Sequence, residues 1–483
     1  MKKTIPTGGS GITGYLLLAG LLVLILGLGF WGGQTWWEGT PPELELQPPL
    51  KVLGAEQPCT LIAKDENSGL SHLRLILRQG ERQQIVLDKS FPGSRWRGGT
   101  DKVVELPLTL TPKAWGFQDG PAELQLEIRD YSWRQWWQGN ARQLSHAITI
   151  DLTPLRLSFI SGNEYLNQGG TGLVVYQVNK KVARSGILVE QRFFTGYPLP
   201  GDTTGKHLVF FAMPFEFPKP PTLELMAEDE GGQQAKVRLT YRLKSRRWRS
   251  DKIMLSEAFL TRKMPEFQEY SPELQGLHQP LEVFLRINQQ EREKNARMIQ
   301  EICARSGPEP LWQGPFLRLP NSKPMAGFAD HRTYIYQGRE VDRQVHLGQD
   351  LASLERALVP AGNHGVVVFA GLLGIYGQTV ILDHGQGLFS MYSHLSEIKV
   401  SREQKVNKGE ELGRTGTTGL AGGDHLHFSI IIQGDFVNPI EWWDPHWLKD
   451  QVYRQLALSP APPAPSPTAK PARSRPSGSK RPR

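Results

Sequence analysis

The sequence predicts a mostly β protein carrying one apolar helix at its N-terminus and one short helical segment in its second half. Three observations carry that reading. Leu73, Leu75 and Leu77, and again Leu124, Leu126 and Ile128, alternate with polar residues at the two-residue period of a half-buried strand. Val283, Phe284, Ile287, Met298, Ile299, Ile302 and Cys303 recur instead near the 3.6-residue period of a helix, with charged residues between them. The stretch from His346-Leu347-Gly348-Gln349-Asp350 to His425-Leu426-His427 is rich in Val, Ile and Gly.

At 483 residues the chain is too long for a single core. Its first 40 residues carry Lys2 and Lys3 and then no charge until Glu38, and positions 15–30 are almost all Leu, Val, Ile, Ala and Gly. About twenty residues at 1.5 Å each cross a hydrocarbon layer of roughly 30 Å. Trp31, Trp36 and Trp37 follow, residues that suit a membrane-water interface. No small-residue cleavage site follows cleanly, so we expect an uncleaved transmembrane signal anchor with the two lysines on the cytoplasmic side.

Residues 41–152 form a first expected β module, with turns at Asn67-Ser68-Gly69 and Gln79-Gly80. The segment Ile148-Thr149-Ile150-Asp151-Leu152-Thr153-Pro154 passes from its last strand into a second β module at 153–245. There Val174 and Tyr176-Gln177-Val178 mark strands, and Pro198-Leu199-Pro200-Gly201 a turn. From Ser250 to Gly307 the pattern is helical, giving a connecting segment at 246–310 that Ser306-Gly307-Pro308 closes. A β-rich domain follows at 311–449. Residues 450–483 form a basic, Pro-rich tail expected to be disordered.

The net charge of +8 is mostly local to the part of that tail after Leu458, where Lys470, Arg473, Arg475, Lys480, Arg481 and Arg483 stand with no acids. The body is nearly neutral and shows no basic stripe interleaved with aromatics, so a nucleic-acid partner is not expected. The two cysteines, Cys59 and Cys303, fall in different regions, which excludes a disulfide framework and a thiolate metal site. Any metal must therefore use imidazole and carboxylate ligands.

Such ligands are concentrated in the 311–449 domain. His346 and Asp350, four residues apart, can reach one ion, and His425 and His427 on a strand share a face. Three N/O ligands with an open fourth position describe a catalytic zinc site. His394, in Tyr392-Ser393-His394-Leu395, lies between the two segments. Neighbouring features read as structural. His384 is expected to cap a turn or satisfy a backbone group, and His364 carries no metal role. Tyr392 fits either a cleft wall or the core. The run 413–419, GRTGTTG, lacks a phosphate-loop lysine and a following helix, so it is a tight β loop. Gly422 and Gly423 are expected to let backbone approach the cleft beside His425.

At these residues the chain resembles the lysostaphin-type or LytM-type zinc metallopeptidases. The resemblance covers about a quarter of the chain. It includes Phe328 and Arg332 of an F-x-x-x-R segment, H-L-G-Q-D-L-A from His346, G-V-V-V from Gly365 and G-Q-T-V-I-L-D-H-G from Gly377. It continues through Y-S-H-L from Tyr392, V-N-K-G-E-E-L-G-R-T-G-T-T-G from Val406, H-L-H-F from His425 and N-P at Asn438. The resemblance implies that His346, Asp350 and His427 ligate Zn2+, while His425 and His394 flank the substrate as catalytic residues. No H-E-x-x-H helix is present to supply a glutamate base.

What the resemblance implies for function is a zinc endopeptidase hydrolysing peptide cross-links of bacterial peptidoglycan, anchored in the inner membrane with its catalytic domain in the periplasm. The alternative is a non-hydrolytic LytM-type regulator whose partner is a separate cell-wall amidase. The two upstream β regions resemble tandem bacterial immunoglobulin-like modules, partly through the phrase Asp65-Glu66-Asn67-Ser68-Gly69-Leu70. They and the helical segment are expected to act as a spacer or as a cover over the cleft.

Overall fold

The computed structural model describes residues 11–457; the side chains of 11–14, 28 and 31–36 lie outside the description, as do 458–483 of the tail and the two N-terminal lysines, whereas 450–457, expected to be disordered with the tail, continue a π turn at Leu448–Tyr453 into the helix Arg454–Ala457. The chain is mostly β, as expected. It divides into two compact units, one of residues 1–155 with 228–234 and one of the remainder.

In the first unit Gly11–Trp36 is one helix of 26 residues. Among the described residues no helix is long and apolar enough to cross a membrane.

A β module follows. Glu43–Gln47, Gln57–Lys64 and Val103–Leu110 form one antiparallel sheet, with Gln57–Lys64 in the centre. The other sheet runs in the order Val52–Leu53, Ala141–Ile150, Gly120–Asp130, Leu70–Gln79 and Arg82–Ser90. Leu73, Leu75, Leu77, Leu124, Leu126 and Ile128 face inward as the alternation requires. They share one core with Leu61 and Ala63 of the opposite sheet.

The second unit opens with another two-sheet region. Leu157–Gly162, Thr171–Val178, Lys206–Ala212 and Tyr197–Pro198 form one sheet. Arg192–Thr195, Arg184–Val189, Leu223–Glu228 and Gln234–Leu239 form the other. Ser250–Leu255 then corrects the sequence reading. It is a strand, not the start of the helical segment, and it pairs in parallel with Asp330–Tyr336. Its burial alternates along the six residues, which a short window with three charged or polar positions hides from a helix-period search.

Helices follow at Glu257–Tyr270, Pro280–Arg286 and Arg292–Ile302, the last two joined through a π turn at Ile287–Glu291. Ser256 caps the first, accepting from the Phe259 N–H at 3.2 Å. Val283, Phe284, Ile287, Ile299 and Cys303 are buried as expected, whereas Met298 is 41% exposed. Lys294 pairs with Glu291 on the outer face. Both cysteines are free and buried.

The 311–449 region is built on an eight-stranded sheet. Its order is Lys323–Ala326, Gln349–Ala352, Leu426–Ile432, Leu388–Leu395, Gln378–Asp383, Gly365–Leu372 and Lys405–Val406, with Asp435–Val437 added beside Leu426–Ile432. The helices cover one face of this sheet, and Leu260, Phe267, Phe284 and Ile287 share a core with Ile381, Phe389, Met391 and Ile431. His427 and Ser429 lie on the same strand face as Ile431, so the site begins where the helical cover ends.

Candidate active site

His346 ends the strand Arg339–His346, and the chain turns directly into Gln349–Ala352, whose Asp350 lies opposite His427 in register. Cross-strand pairing therefore brings the His-Asp segment against the second histidine of His425-Leu426-His427. His346 Nε2, His427 Nδ1 and Asp350 Oδ1 form a triangle with all three sides at 2.9 Å. All three residues are buried.

The outer nitrogens of these rings fix the tautomers. His346 Nδ1 donates to the Gly327 carbonyl at 2.7 Å, because a carbonyl can only accept. The Ser429 hydroxyl donates to the Leu347 carbonyl at 2.8 Å, so it accepts from His427 Nε2 at 3.1 Å. Each neutral ring then turns a bare lone pair inward, toward the other and toward a carboxylate. Three acceptors aimed at one point repel unless a cation lies among them. Two imidazoles and a carboxylate are a donor set that zinc takes, so the residues fit the ion.

Charge at the site follows the same geometry. Burial works to raise the Asp350 carboxyl, yet His346, His425 and His427 hold it well below the usual carboxylate range. Arg332 adds a 2.9 Å bond from Nη2 to Asp350 Oδ2, leaving Oδ1 to the triangle. Burial pushes His427 down to about 4.

The remaining two histidines stand beside the triangle. His425 Nδ1 donates to the Gly423 carbonyl at 2.8 Å, and its Nε2 lies 3.5 Å from Asp350 Oδ1. Burial lowers this imidazole, but Asp350 more than offsets that and raises it. His394 Nδ1 donates to the Thr418 carbonyl at 2.8 Å. Its ring centroid lies 4.9 Å from that of His425 and 5.8 Å from that of His427. Burial, then the charges of its histidine neighbours, hold His394 well below the ordinary imidazole value. Strict alternation would place His394 on the opposite face from Ser393. A left-handed φ of 63° and a register shift against Gln378–Asp383 break the alternation there. Strain of this kind at a functional side chain has to be held by its surroundings, and the Thr418 carbonyl contributes to that.

The five residues line a cleft of about 470 Å³. Ile253, Met254 and Leu255 of the strand, and Phe259, Phe284 and Arg292 of the helices, form part of its wall. The GRTGTTG run is the expected tight loop. Gly416 bridges His425, and the Thr418 hydroxyl donates to the Leu395 carbonyl at 2.8 Å. His384 is fully buried, bonded to the His364 carbonyl and to Ser390, each at 2.6 Å. Tyr392 is core, its hydroxyl accepting from the Gly362 N–H.

Gly422 and Gly423 differ from expectation. A Cβ at either would meet open space, so they leave the rim open rather than admit a close backbone. Gly348 is the crowded glycine. A Cβ there would stand 2.5 Å from the His427 ring and 2.6 Å from Ser429 Oγ. The sequence reading gave no role to Gly348, Ser429, Gly327 or Arg332. Only the H-x-G-x-D and F-x-x-x-R patterns hinted at two of them, since partners supplied through backbone carbonyls leave no side-chain signature.

Residues 344–439 match Peptidase family M23. The DD-carboxypeptidase/endopeptidase Mpg of Neisseria meningitidis is 38% identical over 97 residues, which are 20% of this chain and 22% of that protein. The peptidoglycan DD-endopeptidase ShyA of Vibrio cholerae is 36% identical over 96 residues, again 20% and 22%. The murein hydrolase activator EnvC of Escherichia coli is 34% identical over 95 residues, 20% of this chain and 23% of that protein. The chain thus spans less than a quarter of the length of each of these relatives.

Proposed function

Starting from a chain whose residues 344–439 are an M23 peptidase domain of the lysostaphin or LytM type, we propose that it is a zinc metalloendopeptidase that hydrolyses peptide cross-links of bacterial peptidoglycan. The observation that carries this reading is the inward convergence of two proton-free imidazole nitrogens and one carboxylate oxygen, each 2.9 Å from the others, with two further histidines beside them. His346, Asp350 and His427 hold the ion. A zinc ion, when bound, supplies Lewis-acid polarisation of a carbonyl and acidifies water toward a pKa of about 7.

His425 takes the attacking water's proton. Among the described residues its Nε2 has no partner but Asp350 Oδ1 at 3.5 Å, and Asp350 stabilises the imidazolium that results. His394 is oriented by Thr418, which takes its Nδ1 proton, so its neutral ring presents a bare Nε2; after accepting a proton passed on from His425 it contacts the tetrahedral oxyanion or gives that proton to the leaving amine. Arg332 keeps Asp350 turned so that one oxygen faces the ion. Peptidoglycan as substrate is supported by the names of the Neisseria and Vibrio relatives. The apolar run at 15–30 with Trp31, Trp36 and Trp37 behind it is the ground for placing the chain at the inner membrane, with the peptidase domain in the periplasm.

The Escherichia relative named as a hydrolase activator favours a second reading, a regulator that acts through a separate amidase. Purified full chain, loaded with zinc, is incubated with isolated peptidoglycan and the muropeptides are separated. Loss of cross-linked species with new free amino groups is expected. Intact cross-links together with stimulation of an added amidase would replace the peptidase reading with the regulatory one.

A further inference from the structure

The first unit holds a second group of convergent acids, far in sequence from the histidine site. Glu38, Asp65 and Asp130 each offer a carboxylate oxygen within 4.8 Å of the others. They are 8%, 6% and 2% exposed. They come from three separate places in the fold. Glu38 lies two residues beyond the helix Gly11–Trp36, Asp65 just after the strand Gln57–Lys64, and Asp130 at the end of Gly120–Asp130. Asp65 opens the phrase Asp65-Glu66-Asn67-Ser68-Gly69-Leu70, which the peptidase reading leaves unexplained.

The neighbouring donors account for five of the six carboxylate oxygens. Ser68 N–H donates to Glu38 Oε1 at 2.8 Å, Asn67 N–H to Asp65 Oδ1 at 2.8 Å, and Ser68 Oγ to Asp65 Oδ2 at 3.3 Å. The Ser132 and Asn140 N–H groups donate to Asp130 Oδ1 at 2.9 and 2.7 Å, and Asn140 Nδ2 donates to Asp130 Oδ2 at 2.8 Å. Glu38 Oε2 is buried and has no hydrogen-bond partner among the described residues. The nearby basic side chains are directed at main-chain carbonyls instead: Lys102 Nζ at Asn67, and Arg134 Nε at Trp37. Among the described residues no ion pair reaches these three acids, although the charge of Lys102 partly offsets the raising of Asp65, and a buried charge without a close partner is costly.

We propose that Glu38, Asp65 and Asp130 bind one calcium ion, which fastens the segment leaving the N-terminal helix to the first β module. Every ligand atom is a hard oxygen, and no imidazole or thiolate belongs to the group, which selects against zinc. Carboxylates from two irregular segments and a strand end suit the variable coordination of calcium better than the strict octahedron of magnesium. Burial raises the Glu38 and Asp65 carboxyls, Asp65 adding to the effect at Glu38 and Asp130 at Asp65, and a bound cation reverses that. The Glu38 carbonyl already accepts from Asn140 Nδ2 at 3.1 Å, so the ion would complete an attachment the protein has begun.

The test uses the full chain in detergent, stripped by chelator and reloaded with zinc. Calcium is titrated calorimetrically, and proteolysis between residues 37 and 42 is followed with and without about 5 mM calcium. One calcium per chain is expected, with a Kd of about 10⁻⁴–10⁻³ M, the range of extracellular modules, together with slower cleavage in that segment. Glu38→Gln preserves the side-chain shape and should weaken calcium binding by roughly tenfold or more through loss of one ligand charge, remove the proteolytic protection and leave zinc content unchanged. His346→Ala should lose zinc and keep the calcium response. Absence of saturable calcium binding, equal affinity in Glu38→Gln, or a response abolished by His346→Ala instead would each overturn the proposal.

Discussion

At the scale of single residues, the arrangement separates two jobs that the sequence pattern alone runs together. His346, Asp350 and His427 face one point, whereas His425 and His394 stand beside it with their outer nitrogens tied to backbone carbonyls. Replacing any of the three converging residues by Ala should lower zinc occupancy, because an open site has no spare ligand. His425→Ala and His394→Ala should retain zinc and lose about a hundredfold in peptidoglycan hydrolysis, the usual scale for a positioned acid-base group. Metal analysis beside muropeptide release checks both halves, and full zinc retention in all three ligand variants would remove the assignment. Gly348→Ala provides a subtler check. Its methyl would lie 2.5 Å from the His427 ring, which Ser429 and Asp350 hold from the other sides. Displacement of that ring should weaken zinc binding by about ten- to a hundredfold, the scale of disturbed ligand orientation. Unchanged affinity on competition with a chelator would show that the ring yields freely. The five polar residues were legible in the sequence because side-chain chemistry at fixed spacing is a local signal. The carbonyls of Gly327, Gly423 and Thr418 that orient them were not, because any residue could supply a carbonyl.

At the scale of elements, the regular period of the leucines in Leu70–Gln79 and Gly120–Asp130 made the strands readable, and the buried face matches it. The helix at 280–302 was readable for the same reason. Ser250–Leu255 was not, since its place is set by pairing with a strand about eighty residues later. Lys263 illustrates a similar long-range tie. It is 3% exposed and donates to the Thr417 carbonyl, next to the residue that orients His394. The second β region is joined to the catalytic domain in the same non-local way, through Glu441. Its carboxylate accepts from Asn167 Nδ2 and from the Thr171 N–H, each at 2.7 Å, and a Cβ on Gly170 would lie 2.3 Å from Oε1. Burial pushes this carboxyl up to about 7 from its ordinary 4.5. The folded state therefore holds the proton longer than the unfolded chain, and stability must fall as pH rises through that window. The contribution is complete below about pH 4.5, is lost by about pH 7, and is on the order of 3 kcal/mol. Denaturant unfolding of the full chain across that range should show the decline in the transition of the second unit, and Glu441→Gln should flatten this component. Parallel pH profiles in the two proteins would show that Glu441 does not titrate there.

At the scale of the whole molecule, the order of segments was readable but their grouping was not. The sequence suggests that the β modules and the helical segment together space the cleft from the anchor or cover it. Residues of the helical segment belong to the core of the large sheet. Leu260, Met264, Phe267, Phe284 and Ile287 pack with Ile381, Phe389, Met391 and Ile431 of the large sheet. Phe284 also meets the Tyr334 ring at 5.3 Å, Asn288 Nδ2 donates to Asp342 at 2.7 Å, and the Ile375 N–H donates to Asn295 at 2.9 Å. A chain cut at residue 307 would expose the inner face of the sheet and lose part of the cleft wall. Burial of side chains this size stabilises by about 1.5–3 kcal/mol each, so losing several exceeds the 5–15 kcal/mol margin of an ordinary domain. A chain beginning at residue 156 keeps these contacts. The expected result is that the 156–457 protein stays soluble, binds zinc and cleaves peptidoglycan within about threefold of the full chain, while the 307–457 protein aggregates and binds little zinc. Phe284→Asp should behave like the shorter fragment, because it buries an unpaired charge beside Tyr334 rather than opening the cleft. Solubility, bound zinc and muropeptide release are compared across the three proteins at equal concentration. A soluble 307–457 fragment with higher specific activity than the full chain would show that the helices restrain the cleft from outside rather than form its wall.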